Sequence, residues 1–506
     1  MNKKLKKWLI VIISILLVLS IGVYTTLRVL FSQANQGGVQ SDETIVTTTY
    51  GDLQGRVKND VYNFLGVKYA KAEKLFQKAE ILEPWEGVET AFEYGPVSLQ
   101  QSFLAFGYQY SNDCQNLNIW TPEIHDDEKR PVMVWLHGGG FSSGNANQSD
   151  TNGENLALNE DVVIVSVNHR LNIVGYLDLT EYGSEYANSD NVGMDDILMA
   201  LKWINNNIAN FGGDPDNVTV FGYSGGGAKV LALMTMPEAK GLFHKAIVQS
   251  GATETVGVSF TSKEVSQALT EKVLNKLGIS LDNIDDIQDV PYSDLMDAGN
   301  AAMQEIAVQY QIPGPFSGYG MEWEPVVDGV YMPTNPVTED GFAEAGKDIP
   351  LLIGSTLNEW TRFISSERVD VTPEIEAAFA EAYPNEDITD AKYFDTLIRL
   401  PMLKIMSHKA DQGGANVYSY IYSYGSSRHG SEIPYVFHNN KGDMNELMSG
   451  IWANFARTGI PSYEGIPDWE PYTRLSGACM ILDLETYLDY HHDTELIGLI
   501  KPDYDY

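Results

Sequence analysis

The chain has 506 residues, 43% of them hydrophobic and 20% charged, which is enough apolar material for a large buried core and argues against a disordered protein. Its formal net charge of −36 would repel nucleic-acid phosphates, so we expect no nucleic-acid partner. Only two cysteines occur, Cys114 and Cys479, which excludes a disulfide framework, and no Cys/His spacing suggests zinc. We therefore expect no metal and no other cofactor.

Residues 1–30 are typical of a membrane anchor or signal segment. Four lysines precede an apolar run from Trp8 to Leu27, whose length of about 30 Å as a helix would cross a bilayer. The lysines favour a cytoplasmic N-terminus, so everything after the run would be exported. Two outcomes stay open: a single-pass anchor in the cell membrane with an extracytoplasmic catalytic domain, or secretion after cleavage near Ala34.

A polar linker, residues 31–43, leads into one catalytic domain, residues 44–506. Continuous apolar runs predict strands covered on both faces, as in a parallel sheet. A helix is predicted over 194–211, because its isoleucines and leucines share one face. The pattern indicates an α/β fold with a large, mostly parallel central sheet and helices on both faces. The runs that predict its strands are 132–138, 162–168, 218–224, 245–251, 350–356 and 417–424.

The motif G-x-S-x-G occurs twice, around Ser224 and around Ser142. Ser224 follows a predicted strand directly and precedes an apolar helix, which is the arrangement of a nucleophile elbow. Ser142 also follows a strand, but the residues after it are polar and loop-like. Ser224 is therefore the predicted nucleophile.

A serine hydroxyl needs a base to take its proton and an acid to orient that base. Elbow enzymes supply them in the order Ser, Asp/Glu, His, and the two later strands run into Glu359 and His429. Asp328 is the rival acid, but its Asp-Gly sequence predicts a hairpin turn. The backbone N–H groups of Gly139, Gly140 and Gly225 are the predicted oxyanion hole, because glycines let such donors converge on one small volume.

At this point the chain resembles the type-B carboxylesterase and cholinesterase family, and a bacterial surface carboxylesterase in particular. The resemblance implies an α/β-hydrolase fold, metal-free ester hydrolysis, the triad Ser224, Glu359 and His429, and the same oxyanion glycines. It further implies that Ser250 lies close to the triad acid. The similar segments are NDCQNLNIWTP, PVMVWLHGGGF, VNHRLNIVGYL, NVGMDDILMALKWINNNIANFGGDPDNVTVFGYSGGG, GLFHKAIVQSG, PVVDGVYMP, IGSTLNEW, RHGSEIPYVF and FARTGIP.

The chain departs from this family at Tyr223 and Gly225, where Glu and Ala are usual, and it has no tryptophan in residues 96–113. We therefore expect neutral small to medium esters rather than choline esters as substrates, with Tyr223 contributing to that preference. Cys114 has no cysteine upstream to pair with and is expected in the core. Amides or thioesters remain alternative substrates for the same machinery, and a non-catalytic, membrane-anchored adhesion or binding protein is the alternative function.

Overall fold

The computed structural model describes residues 38–101, 107–314, 318–359, 370–384, 386 and 396–506. Within these ranges, no helix combines the length and the apolar character that crossing a membrane requires. The N-terminal apolar helix expected within residues 1–30 lies outside the described residues, as does the linker up to residue 37. The described part of the linker runs into a single helical turn, Asp42–Thr44.

A sheet of 11 strands forms the centre of the domain. In chain order its strands are β1 (Arg56–Lys58), β2 (Val61–Lys68), β3 (Asn116–Thr121), β4 (Arg130–Leu136), β5 (Val163–Val167), β6 (Gly213–Tyr223), β7 (Lys245–Gln249), β8 (Leu351–Thr356), β9 (Val417–Tyr422), β10 (Ala478–Leu482) and β11 (Tyr487–Tyr490). Across the sheet they lie in the order β11-β10-β9-β8-β7-β6-β4-β5-β3-β2-β1. All neighbours from β10 to β5 in that order pair in parallel, and the strands at both edges pair antiparallel. The predicted, mostly parallel sheet is confirmed.

Each of the six apolar runs in the sequence forms one of the strands β4 to β9. Their side chains point alternately to the two faces, and both faces are covered. In β4, Val132 and Val134 belong to one hydrophobic core, whereas Met133 and Trp135 belong to a second core on the opposite face. All four are fully buried, which explains why the strands read as continuous apolar runs.

Helices cover both faces, as expected. In chain order they are α1 (Glu154–Glu160), α2 (Asn172–Tyr176), α3 (Val192–Asn207), α4 (Gly225–Leu233), α5 (Lys263–Leu277), α6 (Tyr292–Gln309), α7 (Pro373–Ala382), α8 (Thr396–Asp411), α9 (Ile433–Val436), α10 (Asp443–Thr458) and α11 (Thr494–Ile500). Helices α1, α9 and α10 contribute to the core that contains Trp135, and α3, α5, α6 and α8 contribute to the other. The helix predicted over 194–211 is α3, continued by one tighter turn at Ile208–Phe211.

Smaller elements surround this framework. Short strands pair outside the central sheet at Ile45–Thr47, Asp52–Gln54 and Val88–Thr90, at Val97–Ser98 with Tyr110–Ser111, at Thr261–Ser262 with Val326–Val327, and at Val337–Thr338 with Gly341–Phe342. Further short helical turns span Ser149–Thr151, Ser184–Tyr186, Ser189–Asn191, Pro237–Ala239, Leu281–Asp289 and Glu344–Gly346. Cys114 and Cys479 are both free and buried, so Cys114 is the core residue that the sequence predicted.

Candidate active site

Ser224 stands at the sharp turn between β6 and α4. Its φ of 53° and ψ of −130° are unusual for a residue with a side chain, and such strain is typical of functional turns. Its N–H donates to the Gln249 carbonyl at 2.8 Å, which ties the turn to β7. The glycines around it are sterically required, because a Cβ on Gly226 would lie 2.0 Å from the Leu136 carbonyl oxygen. The structure thus presents Ser224 as the sequence predicted, at the carboxyl end of a central strand.

Glu359 and His429 meet in the loops that follow β8 and β9. The Nδ1 atom of His429 donates to Oε2 of Glu359 at 2.5 Å, and the Glu359 side chain is fully buried. Oε1 of Glu359 accepts from the Ser250 hydroxyl at 2.5 Å and from the Thr356 N–H at 2.8 Å. Because the carboxylate can only accept, the proton of a neutral His429 ring lies on Nδ1, which leaves Nε2 as the basic nitrogen.

The loop after β4 carries two of the predicted oxyanion donors, Gly139 and Gly140, at φ of 99° and 62°. The carbonyl of Gly138 accepts from Nδ1 of His137 at 2.9 Å, and that of Gly139 accepts from the Ser143 N–H at 3.0 Å. In a trans peptide the N–H points away from the carbonyl it follows. These bonds therefore fix the directions of the Gly139 and Gly140 N–H groups.

Gly225 completes the predicted oxyanion hole by close contact with Gly140. A Cβ on Gly225 would lie 2.3 Å from both the Cα and the carbonyl oxygen of Gly140, so the two backbones touch where an alanine would not fit without movement. This close packing against Gly140 explains why glycine stands here in place of the family's usual alanine.

One cavity of about 500 Å³ joins the predicted residues. Six of them line it, and Glu359 lies behind His429 as its hydrogen-bond partner. The six are Gly139, Gly140, Ser224, Gly225, Ser250 and His429. The structure therefore brings together every residue that the sequence assigned to the site.

The two rival residues have other environments. Ser142 lines the same cavity, but no helix begins after it, and its N–H is bonded to the Gly139 carbonyl at 3.3 Å. The Asp328 carboxylate accepts from three backbone N–H groups of its own turn, those of residues 330–332. That turn is not the predicted hairpin, because Val326–Val327 pairs in parallel with Thr261–Ser262. A short side-chain-capped loop takes the place of the hairpin.

Tyr223 does not line the cavity, and its expected contribution to substrate preference stays a prediction. Its ring stacks on Trp135 with centroids 5.9 Å apart and packs against the His429 ring with centroids 5.7 Å apart. A Cβ on Gly138 or Gly430 would lie within 2.7 Å of the same ring, so the ring packs closely against both glycines. Tyr223 therefore supports the histidine.

Two acidic residues in the cavity escaped the sequence analysis, since no motif marks them. Glu322 and Glu324 lie in the loop that leads to Val326–Val327. Burial raises the pKa of both carboxyls, that of Glu324 well above its usual range, and Glu324 accepts from the Thr261 hydroxyl at 2.5 Å. The remaining wall is largely apolar, and its apolar side chains are those of Ala228, Ala252, Val256, Met296, Met303, Ile312, Met321, Trp323, Leu397 and Ile398.

A third missed residue is Lys229, on α4. It is a lone charge within an apolar helix, which was the signal available in the sequence. Its side chain is fully buried behind the glycine loop.

Comparison with known proteins gives a consistent result. The family model described as the carboxylesterase family matches residues 42–393 and 385–496. Para-nitrobenzyl esterase of Bacillus subtilis (strain 168) is 32% identical over 89% of this chain and 97% of its own. Carboxylesterase 1C of Rattus norvegicus is 30% identical over 88% of this chain and 90% of its own.

Solved structures agree with these relatives. An esterase from the anaerobe Clostridium hathewayi, described as able to hydrolyse aliphatic aromatic polyesters, superposes with a TM-score of 0.81. It is 35% identical, and the match covers 92% of this chain and 99% of that one. A para-nitrobenzyl esterase structure matches with a TM-score of 0.75, 31% identity, and coverage of 90% and 98%. The chain belongs to the type-B carboxylesterase family and is an ester-hydrolysing enzyme with the α/β-hydrolase fold.

Proposed function

We propose that this carboxylesterase hydrolyses neutral small to medium esters through an acyl-enzyme on Ser224. Nε2 of His429 takes the Ser224 proton as the hydroxyl oxygen attacks the ester carbonyl carbon. The tetrahedral intermediate collapses, and the departing alkoxide receives that proton from His429. Water then attacks the acyl-serine by the same route, releasing the acid and restoring Ser224.

The observation that carries this mechanism is the 2.5 Å bond from His429 to the buried Glu359, in a cavity shared with Ser224. The carboxylate holds the ring in the tautomer that leaves Nε2 basic, and it stabilises the imidazolium once Nε2 is protonated. The N–H groups of Gly139, Gly140 and Gly225 are the donors for the oxyanion. Each such donor typically contributes on the order of 3 kcal/mol to lowering the barrier.

The cavity supports the proposed substrate class. Its volume of about 500 Å³ is that of an ordinary small-molecule site, and its wall is mainly apolar. Glu322 and Glu324 bring carboxyls whose pKa values burial raises, which favours their uncharged forms. The relatives named for para-nitrobenzyl esters and for aliphatic aromatic polyesters add aromatic esters to the candidates.

We further propose that residues 1–30 place the catalytic domain outside the cytoplasmic membrane, either anchored or released after cleavage. The lysine-rich start and the apolar run from Trp8 to Leu27 support this location. Fractionation of cells expressing the full chain tests it. Activity in the membrane fraction or in the medium supports the proposal, and activity confined to the cytosol contradicts it.

The mechanism is tested with a fluorophosphonate probe and p-nitrophenyl esters of short and medium acyl chains. The probe should label the native protein, and Ser224→Ala should abolish labelling and lower kcat by roughly four to six orders of magnitude. Ser142→Ala is the matched control, since that serine shares the motif and the cavity but should not be the labelled residue. Labelling that survives Ser224→Ala contradicts the mechanism. Absence of both hydrolysis and labelling in the native protein favours a non-catalytic binding protein.

A further inference from the structure

Lys229 donates hydrogen bonds to the glycine loop, the segment His137–Gly140 that follows β4. It lies on α4, five residues after Ser224, and its side chain has 0% exposure. Its ammonium nitrogen donates to the carbonyl oxygens of His137 and Gly140, both at 2.9 Å. The same nitrogen lies 5.5 Å from the centroid of the Phe141 ring.

No carboxylate of the described residues forms an ion pair with Lys229. Burial alone lowers the pKa of its ammonium to about 7. A buried cation without a counter-charge costs folding free energy, and its compensation here comes from backbone carbonyls and an aromatic face. The proposed mechanism gives Lys229 no proton to transfer. The folding free energy spent on burying its ammonium group therefore calls for a different explanation.

The two carbonyls that Lys229 binds lie on either side of the two oxyanion glycines. Between them, the carbonyls of Gly138 and Gly139 are bonded within the loop itself. With Lys229, all four carbonyls from His137 to Gly140 accept a hydrogen bond. Since each trans peptide places its N–H opposite its carbonyl, the two bonds to Lys229 orient the Gly138 and Phe141 N–H groups, which flank those of Gly139 and Gly140. Lys229 therefore anchors both ends of the segment whose inner peptides carry the Gly139 and Gly140 N–H groups.

We propose that Lys229 is a positioning residue for the oxyanion hole, clamping both ends of the His137–Gly140 segment so that the Gly139 and Gly140 N–H groups stay directed at the reacting carbonyl oxygen. The inference rests on the proposed serine-esterase mechanism. Preorganised donors stabilise charge that develops only in the transition state, so losing the clamp affects the chemical step more than substrate binding.

Lys229→Met tests this, because methionine has a similar length but offers no donor. We expect kcat to fall about 10- to 100-fold, the range for small misplacements of catalytic groups, while KM stays within about twofold. A trifluoromethyl ketone, which adds reversibly to the serine and places its oxygen in the oxyanion hole, should bind more weakly by the same factor as kcat/KM falls. If Lys229 served only stability, the folded variant would keep both the kcat and the ketone affinity of the unmodified protein.

Lys409→Met is the matched control. Lys409 has 0% exposure, donates to the Lys347 carbonyl at 3.0 Å and lies 5.6 Å from the Phe342 ring centroid, so its environment resembles that of Lys229 without a bond to the His137–Gly140 segment. The Lys409→Met variant should therefore keep the kcat and the ketone affinity of the unmodified protein.

Lys229→Gln serves as a second variant if the methionine variant does not fold, as monitored by thermal melting. Glutamine keeps an N–H donor but is too short to bridge both carbonyls, so kcat should again fall with KM retained. The proposal is overturned if the folded variant keeps kcat within twofold of the Lys409→Met control. If the unmodified protein itself neither hydrolyses esters nor reacts with the fluorophosphonate probe, the serine mechanism fails and this proposal fails with it.

Discussion

His429 is held from two directions. Its Nδ1 atom is bonded to Glu359, and its ring face packs against the ring of Tyr223, which in turn stacks on Trp135. An aromatic ring beside a histidine restricts rotation of the imidazole without competing for its nitrogens. Tyr223 thus restricts the orientation of His429, although it stands next to Ser224 in sequence.

Replacing Tyr223 should show whether its side chain positions the His429 ring or contacts the substrate. Tyr223→Ala opens a void beside His429, so we expect kcat to fall about tenfold or more with little change in KM. Tyr223→Phe keeps the ring contacts and should retain most of the activity. Steady-state kinetics on one p-nitrophenyl ester measures both variants. A changed KM at constant kcat would show instead that Tyr223 contacts the substrate.

At the scale of elements, four neighbouring strands position the predicted triad and Ser250. Ser224 follows β6, Ser250 follows β7, Glu359 follows β8 and His429 lies in the loop after β9, and these strands are adjacent in the sheet. Parallel strands place their carboxyl ends along one edge, which is why apolar runs and the residues after them were sufficient to predict that these side chains lie together.

The cavity wall could not be predicted in the same way. Met296, Glu322 and Glu324 come from the long segment between β7 and β8, and their approach to Ser224 depends on packing between distant parts of the chain. The Asp-Gly at 328–329 shows the same limit: local turn chemistry is correct, but the pairing partner is set elsewhere in the chain. The packing of Tyr223 against His429 likewise joins distant parts of the chain and has no local signal in the sequence.

Ser250 gives a test at this scale, because its hydroxyl links the end of β7 to the acid that follows β8. Removing it leaves Oε1 of Glu359 with the Thr356 N–H alone. A hydrogen bond to a charged group contributes roughly 1.5–3 kcal/mol, and we expect part of this to appear as a fall of about tenfold in kcat for Ser250→Ala. Ser355→Ala is the control, since that buried serine in β8 has no hydroxyl partner among the described residues. Equal kcat for the two variants would contradict a role for Ser250.

At the scale of the whole molecule, the free energy of unfolding depends on pH for two reasons, the net charge of −36 and one buried carboxyl group. Lowering the pH neutralises surface carboxylates and reduces their mutual repulsion. Glu432 adds a local contribution: it has 0% exposure, and its Oε2 has no hydrogen-bond partner among the described residues. Burial, and secondarily the charge of Glu359, raises the pKa of Glu432 from 4.5 to about 7.

The sign of this contribution follows from proton linkage. Between about pH 4.5 and 7 the folded state keeps the Glu432 proton while the unfolded state loses it, so the free energy of unfolding falls as pH rises and levels off above pH 7. A pKa shift of this size corresponds to about 3 kcal/mol. Glu432→Gln removes the ionisation, so its stability relative to the unmodified protein should increase from pH 5 to pH 8 by up to that amount.

Urea unfolding of both proteins at pH 5 and pH 8 measures the change, and the surface contribution cancels because the two share it. Glu374→Gln is the control: the pKa of that exposed carboxyl is lowered by hydrogen bonds at the start of α7, so it is ionised at both pH values and the difference should stay nearly constant. A Glu432→Gln difference that is equally constant would mean that Glu432 is already ionised at pH 5. In that case the fold accommodates two charged carboxylates, those of Glu359 and Glu432, within one buried region beside His429.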